Sequence, residues 1–307
     1  MTVCAIIPAL SPEGAASVVE ELGDSVDVVV VIDNADGAVG AALASCSPRV
    51  SVIRAESNLG FGAAVNLAAR GTDAELIVIL NDDVVPGQGF IAAITAPFAD
   101  SDVHQAACCL LADGSGMIDS LGIAFDRTLR AADVREHHPS GTAIIGPSGA
   151  AAAYRRATFL AVGGFAPQLF AYWEDADLAL RLWQGGHRCA YAGGARAYHR
   201  RGSALQGRSS RQRELDAFGR GFVLGRYAAW LSRIDRLLVA VVDWPSLVRG
   251  CVACRSIRLL ASRRAGLCAG HASPVAPAGS ERPAMRSVGR TLRSQIAGDV
   301  STVDPRR

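Results

Sequence analysis

Short aliphatic runs alternate with segments of helical apolar spacing through the first third of the chain, and this alternation restricts the fold more than any other feature. Val3–Ile7, Val26–Ile32, Val50–Arg54 and Glu75–Leu80 read as strands. Glu13–Leu22 and Ala63–Ala69 read as helices between them. Val26–Ile32 is dominated by β-branched residues, as expected of a strand buried on both faces. Strand and helix in turn predict a mostly parallel sheet covered by helices. Ligands of such sheets bind beyond the carboxyl ends of the strands. Two of the strands end there in carboxylates: Asp33 after Val26–Ile32, and Asp82 with Asp83 after Glu75–Leu80.

The rest of the chain is less uniform. Residues 104–145 show no clear period. Small residues from Gly146 to Ala153 allow close backbone approach and lead into the end of a strand. A short helix over Thr158–Val162 precedes Gly163 and Gly164. Glu174–Gln184 reads as a helix opening on Glu174, Asp175 and Asp177, which suits its dipole, and it stops at Gly185 and Gly186. A strand is expected over Arg188–Ala192. From Arg211 to about Leu267 the pattern is helical and Arg-rich; beyond about residue 272 it is rich in Pro, Ser, Ala and Arg and reads as disordered.

Charge divides along the same lines. The net charge is +2, yet residues 1–200 carry 12 Arg against 22 acidic residues, and residues 201–307 carry 19 Arg against 7. The front can therefore hold metal and acid/base carboxylates, and the back can sit on an anionic surface. The expected organisation is an α/β domain over 1–205, an Arg-rich helical segment over 206–270 and a disordered tail over 271–307. The amino terminus lacks the basic region of a leader, and the longest apolar run near the carboxyl end is expected to stop at Asp243 and Pro245. The 8 cysteines are too sparse for a disulfide scaffold. A cytoplasmic protein is expected, with peripheral contact to the inner face of the membrane through the basic helices, and no nucleic-acid partner.

Four stretches, in order, carry a family resemblance: Val31 to Asn34, Asn58 to Asn66, Leu80 to Val84, and the block from Gly163 through Tyr172-Trp173-Glu174-Asp175-Ala176-Asp177 to His199. Over roughly residues 3–205 the chain resembles the inverting family 2 glycosyltransferases of GT-A fold. Within them it is most similar to the rhamnosyltransferase and galactofuranosyltransferase-like branch. The resemblance implies a Rossmann-like sheet, a nucleotide-sugar donor such as dTDP-rhamnose, a glycan or lipid-linked acceptor of the cell envelope, and Mg²⁺ or Mn²⁺.

It also implies roles. Asp175 is the general base, with Glu174 and Trp173 near the acceptor and Gly149 lining the sugar or acceptor pocket. Asp83 and His199 hold the metal and diphosphate, and Asp82 faces the ribose or phosphate. Asp33, Asn34, Asn58, Gly60 and Asn66 grip the nucleotide. The family's acidic motif has Asn81 at its first position here, and Pro8-Ala9-Leu10 supplies no aromatic for a base to stack on. Both departures leave room for a non-catalytic sugar-nucleotide-binding or scaffold protein of the same fold. A nucleotidyltransferase would need a Gly-rich basic triphosphate loop near the first strand, and none is there.

Cys251-x-x-Cys254 followed by Cys268-x-x-His271 has a spacing that zinc sites use. The first pair lies in a helix-like run without a knuckle turn, so small helix residues are the expected reading.

Overall fold

The computed structural model describes residues 1–112, 116–136, 144–200 and 209–275. The expected front half is present. Strands β1 (Val3–Ala9), β2 (Val28–Asp33), β3 (Val50–Arg54) and β4 (Leu76–Leu80) pair in parallel in the order β3-β2-β1-β4. Helices α1 (Pro12–Leu22), α2 (Ala38–Ala42) and α3 (Phe61–Arg70) connect them. Successive side chains of β1 enter opposite cores: Ala5 and Ile7 pack with Val18 and Val78, while Cys4 and Ile6 pack with Val65 and Ile77. The sheet is thus a wall between two apolar layers.

β1 runs through Pro8, where the sequence predicted a stop. Ala9 accepts from Asn34 of the β2 side. Backbone groups alternate sides along a parallel strand, so Pro8 faces β4, and pairing with β4 has already ended at Ile6. The N–H that proline lacks takes no bond from the ladder there.

The second half of the sheet is mixed. It is built from β5 (Val84–Pro86), β6 (Val103–Ala112), β7 (Ile118–Ser120), β10 (Ala151–Arg155) and β11 (Arg188–His199), with β8 (Ile123–Phe125) and β9 (Ala131–Asp133) as a separate hairpin. β10 is antiparallel to both β4 and β6, β11 is parallel to β6, and β5 is antiparallel to β11. α4 (Phe90–Thr95), α5 (Arg156–Ala161) and α6 (Glu174–Gln184) complete this half. Among the described residues, 104–145 therefore hold one long strand and three short ones. β6 reads His104-Gln105-Ala106-Ala107-Cys108-Cys109, nearly all buried, and small or polar residues buried on both faces produce no period. β11 extends past Ala192 because Gly193 and Gly194 absorb a register shift before Arg196, which carries the strand on to His199.

Three helices close the described chain: α7 (Ser210–Arg226), α8 (Arg233–Cys254) and α9 (Arg258–His271). The sequence placed a domain boundary before them, but α7 shares a core with the sheet domain: Val223, Leu224 and Tyr227 pack with Phe125, Ala176 and Leu180. Gly221 and Gly225 of α7 face Gly266 and Gly270 of α9, and a Cβ on any of the four would overlap backbone of the other helix. α8 does not stop at Asp243 and Pro245. It runs on to Cys254, 22 residues in all, and is long and apolar enough to cross a membrane. The tail predicted to be disordered lies outside the described residues, apart from its first few positions. All eight cysteines are free thiols.

Candidate functional site

The site begins where β4 ends. Asn81 donates its N–H to Ala150 O at 3.0 Å, and its side-chain Oδ1 is buried with no hydrogen-bond partner among the described residues. Asp82, expected to face ribose or phosphate, turns instead to the start of α1: Oδ2 accepts from Leu10 N and Ser11 N, both at 2.7 Å. Asp83 is carried toward β11, its carbonyl accepting from Arg200 N at 2.8 Å. The β5–β11 pairing sets His199 opposite Val84, so Asp83 and His199 become neighbours although 116 positions separate them.

His199 rests on a residue that sequence reasoning missed. Its Nδ1 lies 2.6 Å from Asp119 Oδ2 on β7, and Arg135 reaches the other Asp119 oxygen at 3.3 Å. Burial opposes the imidazolium, but the Asp119 hydrogen bond and the charges of Asp119, Asp83 and Asp133 outweigh it and raise the His199 pKa. The same hydrogen bond holds Asp119 below its ordinary value. Asp133 on β9 is pushed up to about 6, first by burial, with Asp175 and Asp119 adding to it and Ser120 and Arg135 opposing. A field of carboxylates thus runs from Asp83 past His199 to Asp175. Asp119 and Asp133 sit on three-residue strands, too short to leave a signal in the sequence.

Asp175 is held at the start of α6. Its Oδ2 accepts from Gly149 N at 3.0 Å and its Oδ1 from Ala176 N at 2.7 Å. Burial raises its pKa, and these amides lessen the rise. Glu174 is also raised, by burial first and by Asp175 second, and its Oε2 has no hydrogen-bond partner among the described residues. The chain reaches α6 through two successive left-handed residues, Tyr172 (φ 69°) and Trp173 (φ 73°), neither a glycine. Such conformations cost of order 1 kcal/mol or more each and persist where the surroundings impose them. Here α7 does so. Trp173 donates from Nε1 to Asp216 at 2.9 Å, packs on Gly219, and lies 5.4 Å from the Arg220 guanidinium. The indole expected to stack on a sugar is therefore spent on anchoring the turn.

The residues expected at the nucleotide form a second cluster. Asp33 accepts from Ala35 N at 3.0 Å and Gly40 N at 2.9 Å, which fixes the turn after β2. Asn34 Oδ1 accepts from Leu59 N at 3.2 Å, and Asn58 Oδ1 accepts from Gly60 N at 2.8 Å. Gly60 (φ 78°) is required by its neighbour, since a Cβ there would strike the Phe170 carbonyl. Asn66 exchanges two hydrogen bonds with the Phe165 backbone, at 2.8 and 2.9 Å, and pins α3 to the turn before α6. Asp33, Asn34, Asn58 and Gly60 thus shape one loop, while Asn66 works inside the core.

The available donors fit a particular kind of metal site. No group of three His, Cys, Asp or Glu side chains is poised to ligate among the described residues. Asp83 and His199 are adjacent, and with Nδ1 held by Asp119 the free nitrogen is Nε2, the arrangement typical of metal-bound histidine. Two protein donors suit a cation that takes its other ligands from phosphates. Cys251, Cys254, Cys268 and His271 do not gather, so their zinc-like spacing is helical coincidence. An apolar cavity of about 550 Å³ lies between α7, α8 and α9, and none of these carboxylates lines it.

A family profile described as "Glycosyltransferase like family 2" matches residues 14–215. No curated protein matches the chain. Among solved structures, GalNAc-T7 with UDP, GalNAc and Mn²⁺ aligns at TM-score 0.58 and 16% identity, over 74% of this chain and 48% of that one. The chain thus spans about half that protein's length. The mannosyltransferase PcManGT from Pyrobaculum calidifontis, with GDP-Man and Mn²⁺, aligns at TM-score 0.53 and 17% identity, over 96% and 79%. TarS 1-349 from S. aureus with UDP aligns at 0.51 and 16%, over 73% and 70%.

Proposed function

The chain belongs to glycosyltransferase-like family 2, and on that premise we propose that it moves a sugar, with inversion, from a nucleoside-diphosphate donor to a hydroxyl of a cell-envelope glycan or glycolipid. The observation that carries this reading is the placement of Asp175: a carboxylate of raised pKa, fixed by Gly149 N–H and Ala176 N–H, with Gly149 one residue from the Ala150 carbonyl that receives Asn81. A base works best with a pKa drawn toward the operating pH, and burial moves Asp175 in that direction.

In the reaction, Asp175 accepts the proton of the acceptor hydroxyl as that oxygen attacks the anomeric carbon opposite the diphosphate. Glu174, buried beside it, holds acceptor hydroxyls. Asp83 and His199 Nε2 would hold a divalent cation, which would supply charge neutralisation at the diphosphate. Asp119 fixes the His199 ring. The loop shaped by Asp33, Asn34, Asn58 and Gly60 receives the nucleoside, and its backbone makes up for the missing aromatic at Pro8-Ala9. The Mn²⁺ bound to two structural neighbours, with UDP and GalNAc in one and GDP-Man in the other, supports a metal and such a donor. dTDP-rhamnose is the donor that the resemblance to the rhamnosyltransferase-like branch implies.

The test is release of nucleoside diphosphate from a panel of nucleotide sugars, dTDP-rhamnose included, with Mn²⁺ or Mg²⁺ and envelope lipids as acceptors. Asp175→Asn is expected to abolish acceptor-dependent release and to leave donor binding intact. Near-normal turnover by this variant would overturn the assignment.

A further inference from the structure

We propose that α8 is a docking helix that lies in the plane of an anionic lipid surface. Ile234, Leu237, Val241, Trp244, Val248 and Val252 recur at three- and four-residue steps and so line one side of the helix. All six are exposed, with Leu237 at 66%, Trp244 at 60% and Val252 at 71%. A continuous exposed apolar face of this kind marks an interaction surface.

The opposite side is bound to the protein. Asp235 accepts from Arg127 Nε at 2.7 Å, and Asp243 pairs with Arg220 at 3.0 Å, with Arg130 at 3.3 Å and with Arg263. These are the only acids of α8, and both are buried. The charges left outside are all basic: Arg233, Arg236, Arg249, Arg255 and Arg258 are exposed, and no Asp or Glu occurs between Asp243 and residue 275.

Apolar stripe, central tryptophan and arginine flanks together match the interface of a bilayer with anionic headgroups. Two alternatives fit less well. A spanning α8 would have to give up the ion pairs that tie it to the protein at both Asp235 and Asp243. A second copy docked stripe to stripe would oppose two identical arginine rims. The proposal does not depend on the sugar chemistry.

Flotation of the full chain with phosphatidylcholine vesicles, with and without phosphatidylglycerol, tests it. Binding is expected only with phosphatidylglycerol and should weaken with salt. Leu237→Glu combined with Trp244→Glu should weaken it by at least about tenfold, since each side chain contributes burial of that order. The milder pair Leu237→Ala and Trp244→Ala should fall between, and thermal unfolding of both should match the parent because the sites are exposed. Failure of the parent to float with phosphatidylglycerol, or unchanged binding by both variants, would overturn the proposal. So would light scattering that shows a dimer broken by the variants.

Discussion

Two neighbouring carboxyls, Glu174 and Asp175, differ in how they are held. Asp175 has backbone donors on both oxygens, whereas Glu174 Oε2 has no such partner among the described residues. Asp175→Asn keeps the shape and loses the base, so turnover should fall by roughly 10²–10⁴-fold in single-turnover kinetics. Glu174 predicts a pH effect. Its pKa is raised in the folded protein, so the folded state binds more protons than the unfolded one as pH climbs above the ordinary 4.5. Stability should then decline with rising pH until the raised value is passed. Glu174→Gln should remove this decline: urea titrations should find it more stable than the parent at alkaline pH and the difference lost near pH 4. Asn66 carries a structural prediction. Asn66→Leu orphans the Phe165 N–H and carbonyl, at roughly 1–3 kcal/mol for each buried group, and the loss should appear in the urea midpoint.

At the level of elements, the turn before α6 depends on α7, and α7 depends on α9. Trp173 reaches Asp216 and Gly219, and the next turns of α7 meet Gly266 and Gly270 of α9. The backbone carbonyls in that crossing cannot rotate away like side chains. Gly266→Leu should therefore separate the helices and cost at least about 1–3 kcal/mol. Differential scanning calorimetry should record a lowered Tm, and activity should fall although Gly266 lies outside the carboxylate cluster, because the geometry at Trp173 is lost with it.

The whole molecule gathers its site from distant parts of the chain. Asp83 follows β4, Asp119 lies on β7, Asp175 opens α6 and His199 ends β11. A ligand that bridges them binds only the folded chain. A nucleoside diphosphate with Mn²⁺ at about 100 times its Kd should add roughly 2.7 kcal/mol. That corresponds to a rise of about 5–10 °C in Tm for a domain of this size. Chelation, or Asp83→Asn, should remove most of the shift, as followed by dye-based melting.

The sequence by itself determined the local order of the protein. Aliphatic runs fixed β1 to β4, acidic residues before an apolar stripe fixed α6 within a residue, and the carboxylates at strand ends marked Asp33, Asp82 and Asp83. These are nearest-neighbour properties, set by periodicity, caps and turn chemistry, and they survive reading one window at a time. Tertiary structure decided what those residues do with their partners. It turned Asp82 to α1 and Trp173 to α7, brought Asp119 to His199, and carried β11 through two glycines to meet Asp83. It also hid both acids of α8 and left its apolar stripe outside. None of these outcomes is written in spacing, because each depends on a contact between segments far apart in the chain, chosen by packing and by the need of buried polar groups for partners.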